Sequence, residues 1–338
     1  MAKSKSVTIA DVARLAEVSM GTVSRVVNRD PTVRPVTRKA VMAAVDRLGY
    51  RPNFNARNLR LRQTQTIGLL MGNLTQALVP LAIRGIERAL RPHGYALIIS
   101  DGASDEDVEQ EALSTLLDRR VDGILWMPHI RRSAAEARVT PGAPPVVFFG
   151  QASPSESVPT AMVEESAALE EMARDLLALG HTELSYIGVG PAAHGRLRRL
   201  HPILNELGMA CPPNRQLLLS RDEDTYEAVA RLLHADPRPT ALLFGPHGLV
   251  PSALRAIRDA GLQLPRDLSL VAFGETDWAE VLNPSLSVIG VDYLTHAQDA
   301  AGMLLRHIDG DDDAPRVIRH RSEYIRRESA GPAPALQA

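Results

Sequence analysis

Between Thr8 and Gly49 the apolar residues fall at helical spacing in three short runs. Ile9, Val12, Ala13 and Ala16 form one stripe behind Thr8, whose hydroxyl suits an N-cap. Glu17-Val18-Ser19 breaks the stripe, and Ser19 suits the cap of a second helix that turns Val23, Val26 and Val27 inward. The turn-rich stretch from Asn28 to Pro31 ends that helix. A third is predicted from Pro35, a favoured first helical residue, to Leu48, with Gly49 as its stop and Val41, Ala44, Val45 and Leu48 as its buried face. Two short helices joined by three residues, with a third packed behind, make a helix-turn-helix.

From Thr66 strand-like and helix-like segments alternate. The runs TIGLLM, YALIIS, GILWM and VVFF are interleaved with helix-like stretches around 83–90 and 105–118. A second series runs through a helix near 165–179, LSYIGV, a helix near 196–207, TALLF, a helix near 251–260 and LSLVAF. Such alternation predicts parallel sheets covered by helices. The count suits two sheets with a boundary near 153–159, and ligands of such sheets sit at the carboxyl ends of the strands.

Composition adds a division of charge. The 338 residues are 45% hydrophobic and 23% charged, as in globular proteins, and suffice for two or three domains. Residues 1–62 carry thirteen Lys and Arg against four Asp and Glu, a balance of +9 inside a chain whose formal net charge is −2. The remainder is therefore at −11. This asymmetry points to a basic module for a polyanion joined to an acidic body; on charge alone, a basic arm without a partner is the alternative.

The single cysteine, Cys211, excludes an internal disulfide framework and a multi-cysteine zinc site. No apolar h-region follows the basic start, and no apolar run approaches the roughly 18 residues of a membrane span, so a cytoplasmic protein without a membrane partner is expected. Gly188-x-Gly190-x-x-Ala193 after a strand is a partial dinucleotide fingerprint, but no enzyme motif accompanies it. Asp311-Asp312-Asp313 reads as a solvated turn. No enzyme activity, metal or cofactor is expected.

The second helix presents Met20, Gly21 and Arg25 outward near its start, where such helices meet base edges in the major groove of duplex DNA. Thr22, Ser24 and Arg29 suit phosphates, and Thr8 and Ser19 at the helix starts complete the candidate contacts. Arg25 has the fork that pairs with guanine O6 and N7, with a phosphate contact or a solvated surface arginine as the alternatives; Met20 offers only apolar contact.

The runs TIADVARLAEVSMGTVSRVVN, VTRKAVMAAVDRLGYRPNFNARNLR and TIGLL closely resemble the lactose-repressor (LacI/GalR) family of bacterial transcription regulators. Weaker resemblance continues through RGIERAL, DGILWMP, LLALGHTELSYIG, LPRDLSLVAF and NPSLSVI, so that it covers essentially the whole chain. It implies an all-α headpiece (1–50), a hinge (51–62) and an α/β body (63–330). That body would comprise two parallel-sheet subdomains linked by three crossovers, as in periplasmic sugar-binding proteins. A tail without heptads (331–338) follows, which predicts a dimer lacking a tetramerising helix. In that family the segment corresponding to Asn53–Arg60 becomes a short helix on operator DNA, so the resemblance makes Asn53, Ala56, Arg57 and Leu59 the candidate hinge contacts. Leu59 matches the family's intercalating leucine, a wedge of the kind that unstacks a base step at a cost of a few kcal/mol; packing of the linker onto the body is the alternative.

The pocket departs from the family. Arg196 matches the effector-binding arginine, but Arg199 stands where a glycine is usual and Leu200 where an aromatic is. Pro246-His247, Gly274-Glu275, Leu78-Val79 and Glu164-Glu165 replace the usual Asn-Asp, Asp-Asp, Phe-Phe and Asp-Asn pairs. Arg196, His247, Glu275, Asn73, Gln76 and Trp278 are the candidate effector contacts. For Trp278 the alternative is simple packing. Arg196 with His247 could hold an anion such as a sugar acid or sugar phosphate; alternatively Arg196 pairs with Glu164 or Glu165. A different effector, a rearranged pocket and a vestigial one all remain open.

The expectation is therefore an effector-controlled, homodimeric repressor on pseudo-palindromic operator DNA. A solute-binding protein, or a sugar-metabolising enzyme with an appended regulator domain, is the competing class.

Overall fold

The computed structural model describes residues 7–27, 30–50, 63–128, 142–150, 158–219 and 224–334. It divides into two compact units, Met1–Thr64 and Gln65–Ala338. The first holds α1 (Ile9–Leu15), α2 (Met20–Val27) and α3 (Pro35–Leu48). The Thr8 amide and hydroxyl both donate to Asp11 Oδ2, at 3.0 and 2.7 Å, which fixes the start of α1. The Thr22 amide donates to Ser19 Oγ at 3.1 Å and fixes the start of α2. Gly49 closes α3 in the left-handed region at φ 61°. Val12, Ala13, Val23, Val26, Val41 and Ala44 form the core, with nothing larger than valine, so the three helices pack closely. Each fully buried valine contributes about 1.5–3 kcal/mol before chain entropy is counted.

The second unit contains two six-stranded sheets. The first is built from β1 (Thr66–Met71), β2 (Ala96–Asp101), β3 (Gly123–Met127), β4 (Val146–Gly150), β5 (Thr160–Glu164) and β11 (Val317–Arg321). Its order is β11-β5-β4-β3-β1-β2, all parallel. One face packs on α4 (Val79–Leu90) and α11 (Tyr293–Ile308), the other on α5 (Glu106–Asp118). A Cβ on Gly85 of α4 would collide with the Leu294 carbonyl, so only glycine lets α4 and α11 approach this closely.

The second sheet is built from β6 (Ser185–Val189), β7 (Gln216–Leu219), β8 (Ala241–Gly245), β9 (Ser269–Phe273), β10 (Ser287–Gly290) and β12 (Glu323–Ile325). Its order is β12-β10-β9-β8-β6-β7, parallel except for β12. Side chains alternate between two cores: Ala241 and Leu243 of β8 face α6 (Ser166–Ala178) and α7 (Gly190–Glu206). Leu242 and Phe244 face α8 (Thr225–Leu233), α9 (Val250–Asp259) and α10 (Asp277–Val281). Strands buried on both sides read as continuous apolar runs, which is why the sequence displays them.

Three described connections join the sheets: at Glu165 after β5, through Val291 and Asp292 before α11, and at Ser322 after β11. The boundary expected at 153–159 is thus corrected to Glu165, because β5 pairs with β4 and β11 of the first sheet. A connection inside one sheet has the same Pro- and Ser-rich composition as a linker between domains. The helix expected near 196–207 begins at Gly190. A proline in its first turn leaves no hydrogen bond unmade, so GPAAHG does not have to be a loop. Nor is the segment after Ala330 wholly a free tail. Ser269 Oγ donates to the Gly331 carbonyl at 3.0 Å, and the Ala333 amide donates to the Leu179 carbonyl at 2.8 Å.

Candidate functional site

In the first unit the turn between α1 and α2 aims the second helix outward. Glu17 takes the left-handed conformation at φ 54°, and the Val18 amide returns to the Ala13 carbonyl at 3.0 Å. With Val23 and Val26 buried, α2 exposes Ser19, Met20, Gly21 and Arg25 together and leaves Thr22 and Ser24 half-buried. Met20 is 55% exposed. A Cβ on Gly21 would meet only Ser19 Oγ at 3.7 Å, so the backbone there is open to close approach. The hydroxyls of Thr8 and Ser19 are engaged in capping. Arg29, Asn53, Ala56, Arg57 and Leu59 lie outside the described residues.

In the second unit a cavity of about 230 Å³ opens at the carboxyl ends of both sheets, bounded by all three connections. Arg196, His247, Glu275, Asn73 and Gln76 line it together. Trp278 does not line it; this side chain packs against the core of the second sheet, with its ring centroid 6.4 Å from that of His247.

The floor of the cavity is an ion triad. Glu165 is 4% exposed and accepts from Arg196 Nε at 3.0 Å, Arg196 Nη2 at 2.9 Å and Arg199 Nη2 at 2.6 Å. Burial opposes ionisation of Glu165, but the two guanidinium groups outweigh it and hold its carboxyl below the usual range. Arg196 also lies over the Phe273 ring, 4.1 Å from the centroid. Of the two glutamates that could pair with Arg196, Glu165 is therefore the partner, and Glu164 is exposed at the end of β5.

The other lining groups are held differently. Burial pulls His247 down to about 4, a backbone hydrogen bond to Phe273 fixes its ring, and Nε2 is buried without a partner. His247 is thus a neutral acceptor and supplies no positive charge. A Cβ on Gly274 (φ 103°) would collide with its Nδ1, so the glycine in place of an acid is what admits the imidazole. Glu275 Oε1 accepts from Arg327 Nη2 at 3.0 Å, while Oε2 is buried and unpartnered. Asn73 accepts from the Thr75 amide and hydroxyl at 2.8 and 2.6 Å and donates to Ser104 Oγ at 3.1 Å, in the loop after β2. Tyr293, which donates to Met127 Sδ at 2.9 Å and is pushed up to about 12 by burial, completes the first-sheet wall.

Residues 8–53 match the family described as bacterial regulatory proteins, lacI family, and residues 173–330 match the periplasmic binding protein-like domain. Catabolite control protein A of Staphylococcus xylosus is 30% identical over 328 residues, spanning 94% of this chain and 98% of that protein. The chain belongs to the lacI family. A second relative, the HTH-type transcriptional regulator GalR of Escherichia coli, is 27% identical over 335 residues, covering 98% of this chain and 97% of its own. The lac repressor dimer bound to operator and the anti-inducer ONPF superposes with a TM-score of 0.84 at 24% identity, over 97% of this chain and 100% of that one, a likeness of fold.

Within the lacI frame, Glu165, Arg199 and Tyr293 join the cavity without having been singled out as ligands in the sequence. Arg199 had one signal, its place where the family carries glycine. Tyr293 had none, because α11 returns to the first sheet only through long-range packing.

Proposed function

We propose that this chain is a transcription repressor that acts in the cytoplasm as a homodimer on pseudo-palindromic duplex DNA, released or recruited by a small molecule in the cleft. The observation that carries this reading is the exposed face of α2, with Met20, Gly21 and Arg25 side by side in a segment whose charge is +9. Arg25 reads a base edge, Thr22 and Ser24 join the phosphate contacts, and each headpiece takes one half-site about one helical turn from the other. Asn53, Ala56, Arg57 and Leu59 carry the hinge into the minor groove, with Leu59 as the wedge.

Arg196, His247, Glu275, Asn73 and Gln76 form the effector site. Ligand binding there shifts the relative angle of the first subdomains and so separates or aligns the paired hinges; coupling of about 1–3 kcal/mol changes operator occupancy severalfold to a hundredfold. The exposed reading helix disfavours a transport role for the two-sheet unit, which would leave that helix without a purpose. Among the described residues no helix is long and apolar enough to cross a membrane.

A gel shift on the DNA upstream of the chain's own gene, in dilute buffer and with increasing salt, tests the reading. Retardation that weakens steeply with salt supports it. No retardation of any promoter fragment, with or without candidate metabolites, overturns it.

A further inference from the structure

Two histidines sit beneath the connections between the sheets. His296 lies in the first turn and a half of α11, just after the connection at Asp292, and is fully buried; His320 lies on β11, just before the connection at Ser322. Their rings meet edge-on with centroids 4.9 Å apart. The Gly150 amide at the end of β4 donates to His296 Nε2 at 3.0 Å, so this nitrogen is an acceptor and the ring proton is on Nδ1. Nδ1 is buried without a partner. The packing thus has no place for a second proton. On Nε2 it would point at another donor, and its charge would lie in an apolar setting beside a second imidazole.

Among the described residues, the groups around the pair do little to help such a charge. On α11, Tyr293 lies 5.6 Å from the His296 ring, Asp292 accepts from the Thr295 amide and hydroxyl, and Asp299 stands 3.5 Å from His320 Nε2. β4 and β5 bring Phe149 and Val163, which carry no charge. On β11, Arg319 and Arg321 alternate to the exposed side. Glu165 and Arg196 act on Tyr293 from the cavity. Asp299 gives a charged His320 a partner, His296 has none, and a charge on His320 opposes one on His296.

The contact joins β4, α11 and β11 where the chain leaves the first sheet. Gly150, Tyr293 and Ser322 all line the cavity, and the Ser322 amide donates to the Glu164 carbonyl at 2.9 Å, beside the third connection. We propose that the His296–His320 pair is a proton-operated lock on these connections: neutral, it ties α11 and β11 to the end of β4, and protonated, it lets them part and loosens the frame that holds the two sheets. The lock stands on this geometry alone; its consequence for DNA rests on the reading of the chain as an operator-binding regulator. A loosened frame has to be re-ordered before paired headpieces are held at a fixed spacing, so acid weakens operator binding. Residues 1–62 contain no histidine, so the DNA-contacting segment brings no side chain that ordinarily titrates between pH 5 and 8.

Burial and His320 pull His296 down to about 3 in the locked form, against an ordinary value of about 6.5 once released. The lock therefore holds fully above pH 6.5, and the released form gains about tenfold for each pH unit below it.

Hydrogen exchange of the full-length protein is followed by mass spectrometry at pH 7.5 and 5.5, corrected for the pH dependence of intrinsic exchange. In the peptide containing Gly150 and those spanning the connections at Asp292 and Ser322, opening is expected to rise about tenfold at the lower pH. His296→Gln keeps an acceptor for Gly150 but takes up no proton, and should abolish the rise. Should that variant fail to fold, His320→Gln, which removes the neighbouring charge, should shrink it by half or more. Operator affinity on the same preparations is expected to fall fivefold or more between pH 7.5 and 5.5 in the wild type and less than twofold in His296→Gln. Exchange that does not respond to acid, a response that survives in both variants, or operator affinity that holds or rises on acidification overturns the inference. Operator binding that is present but indifferent to pH sinks this inference alone, whereas its absence at pH 7.5 sinks the regulator reading and leaves exchange as the test of the lock.

Discussion

Glu165 and Arg196, thirty-one residues apart, form a two-point ion pair with both nitrogens of the fork on one carboxylate, at 3.0 and 2.9 Å. The carboxylate sits where the chain first leaves one sheet for the other, and the guanidinium lines the effector cavity. Removing one member of a buried pair leaves an uncompensated charge, at a cost of about 3–5 kcal/mol. Glu165→Gln is therefore expected to lower the urea midpoint by an amount corresponding to about 3 kcal/mol, with an unchanged slope. A change under about 1 kcal/mol would show that the triad is not held as described.

Arg25 is expected to act at one position of the operator. Its substitution by alanine should relax preference for a single base pair, worth about 1–3 kcal/mol there, and leave discrimination elsewhere intact. Binding selections on wild type and variant measure this directly. Equal weakening of all sequences would assign Arg25 to a phosphate.

Acid should weaken the fold. Burial pulls His247 to about 4 and His296 to about 3 and also lowers His181. The unfolded chain takes protons at these positions near pH 6.5, and the folded chain refuses them until well below. Stability is thus full above pH 6.5 and is lost as pH falls toward 4, at about 1.4 kcal/mol per pH unit for each fully neutral histidine. His296 accepts from the Gly150 amide at 3.0 Å and stacks edge-on against His320, which faces Asp299 at 3.5 Å. Thermal unfolding between pH 7.5 and 5 should show the decline, and His296→Gln should flatten it. A midpoint that rises on acidification contradicts the assignment.

Glu17 bears the one left-handed backbone in the turn between α1 and α2. An L-residue there costs roughly 1–2 kcal/mol, partly offset by the smaller chain entropy it loses relative to glycine. Glu17→Gly is expected to slow hydrogen exchange of the α1 and α2 amides about twofold, a gain on the order of 0.5 kcal/mol. Faster exchange would mean that Glu17 makes a contact that outweighs its strain.

The helices of the first unit were legible because each announces itself locally, through Thr8, Ser19, Pro35 and Gly49 at their ends and valines at helical spacing between. Strands such as ALLFG and SLVAF were legible because burial on both faces leaves them uniformly apolar. Strand β5 and helix α11 were not: Ala297, Ala300 and Ala301 carry little hydrophobic signal, and their burial depends on the return to the first sheet. The cleft was half legible. Arg196, His247 and Glu275 could be placed through the resemblance to the family, and a pairing of Arg196 with Glu164 or Glu165 was one alternative, but the choice of Glu165, the second arginine on it and the neutrality of His247 exist only once α7 and the second sheet pack together. Trp278 was misplaced for the same reason.

The central claim, that α2 reads duplex DNA for a matched pair of headpieces, is tested most directly by selecting random duplexes on the purified full-length protein. The account predicts enrichment of inverted repeats with half-site centres about 10 base pairs apart, lost together with α2-surface substitutions at Met20 and Arg25. Recovery of no sequence preference, or of isolated half-sites without symmetry, would contradict it.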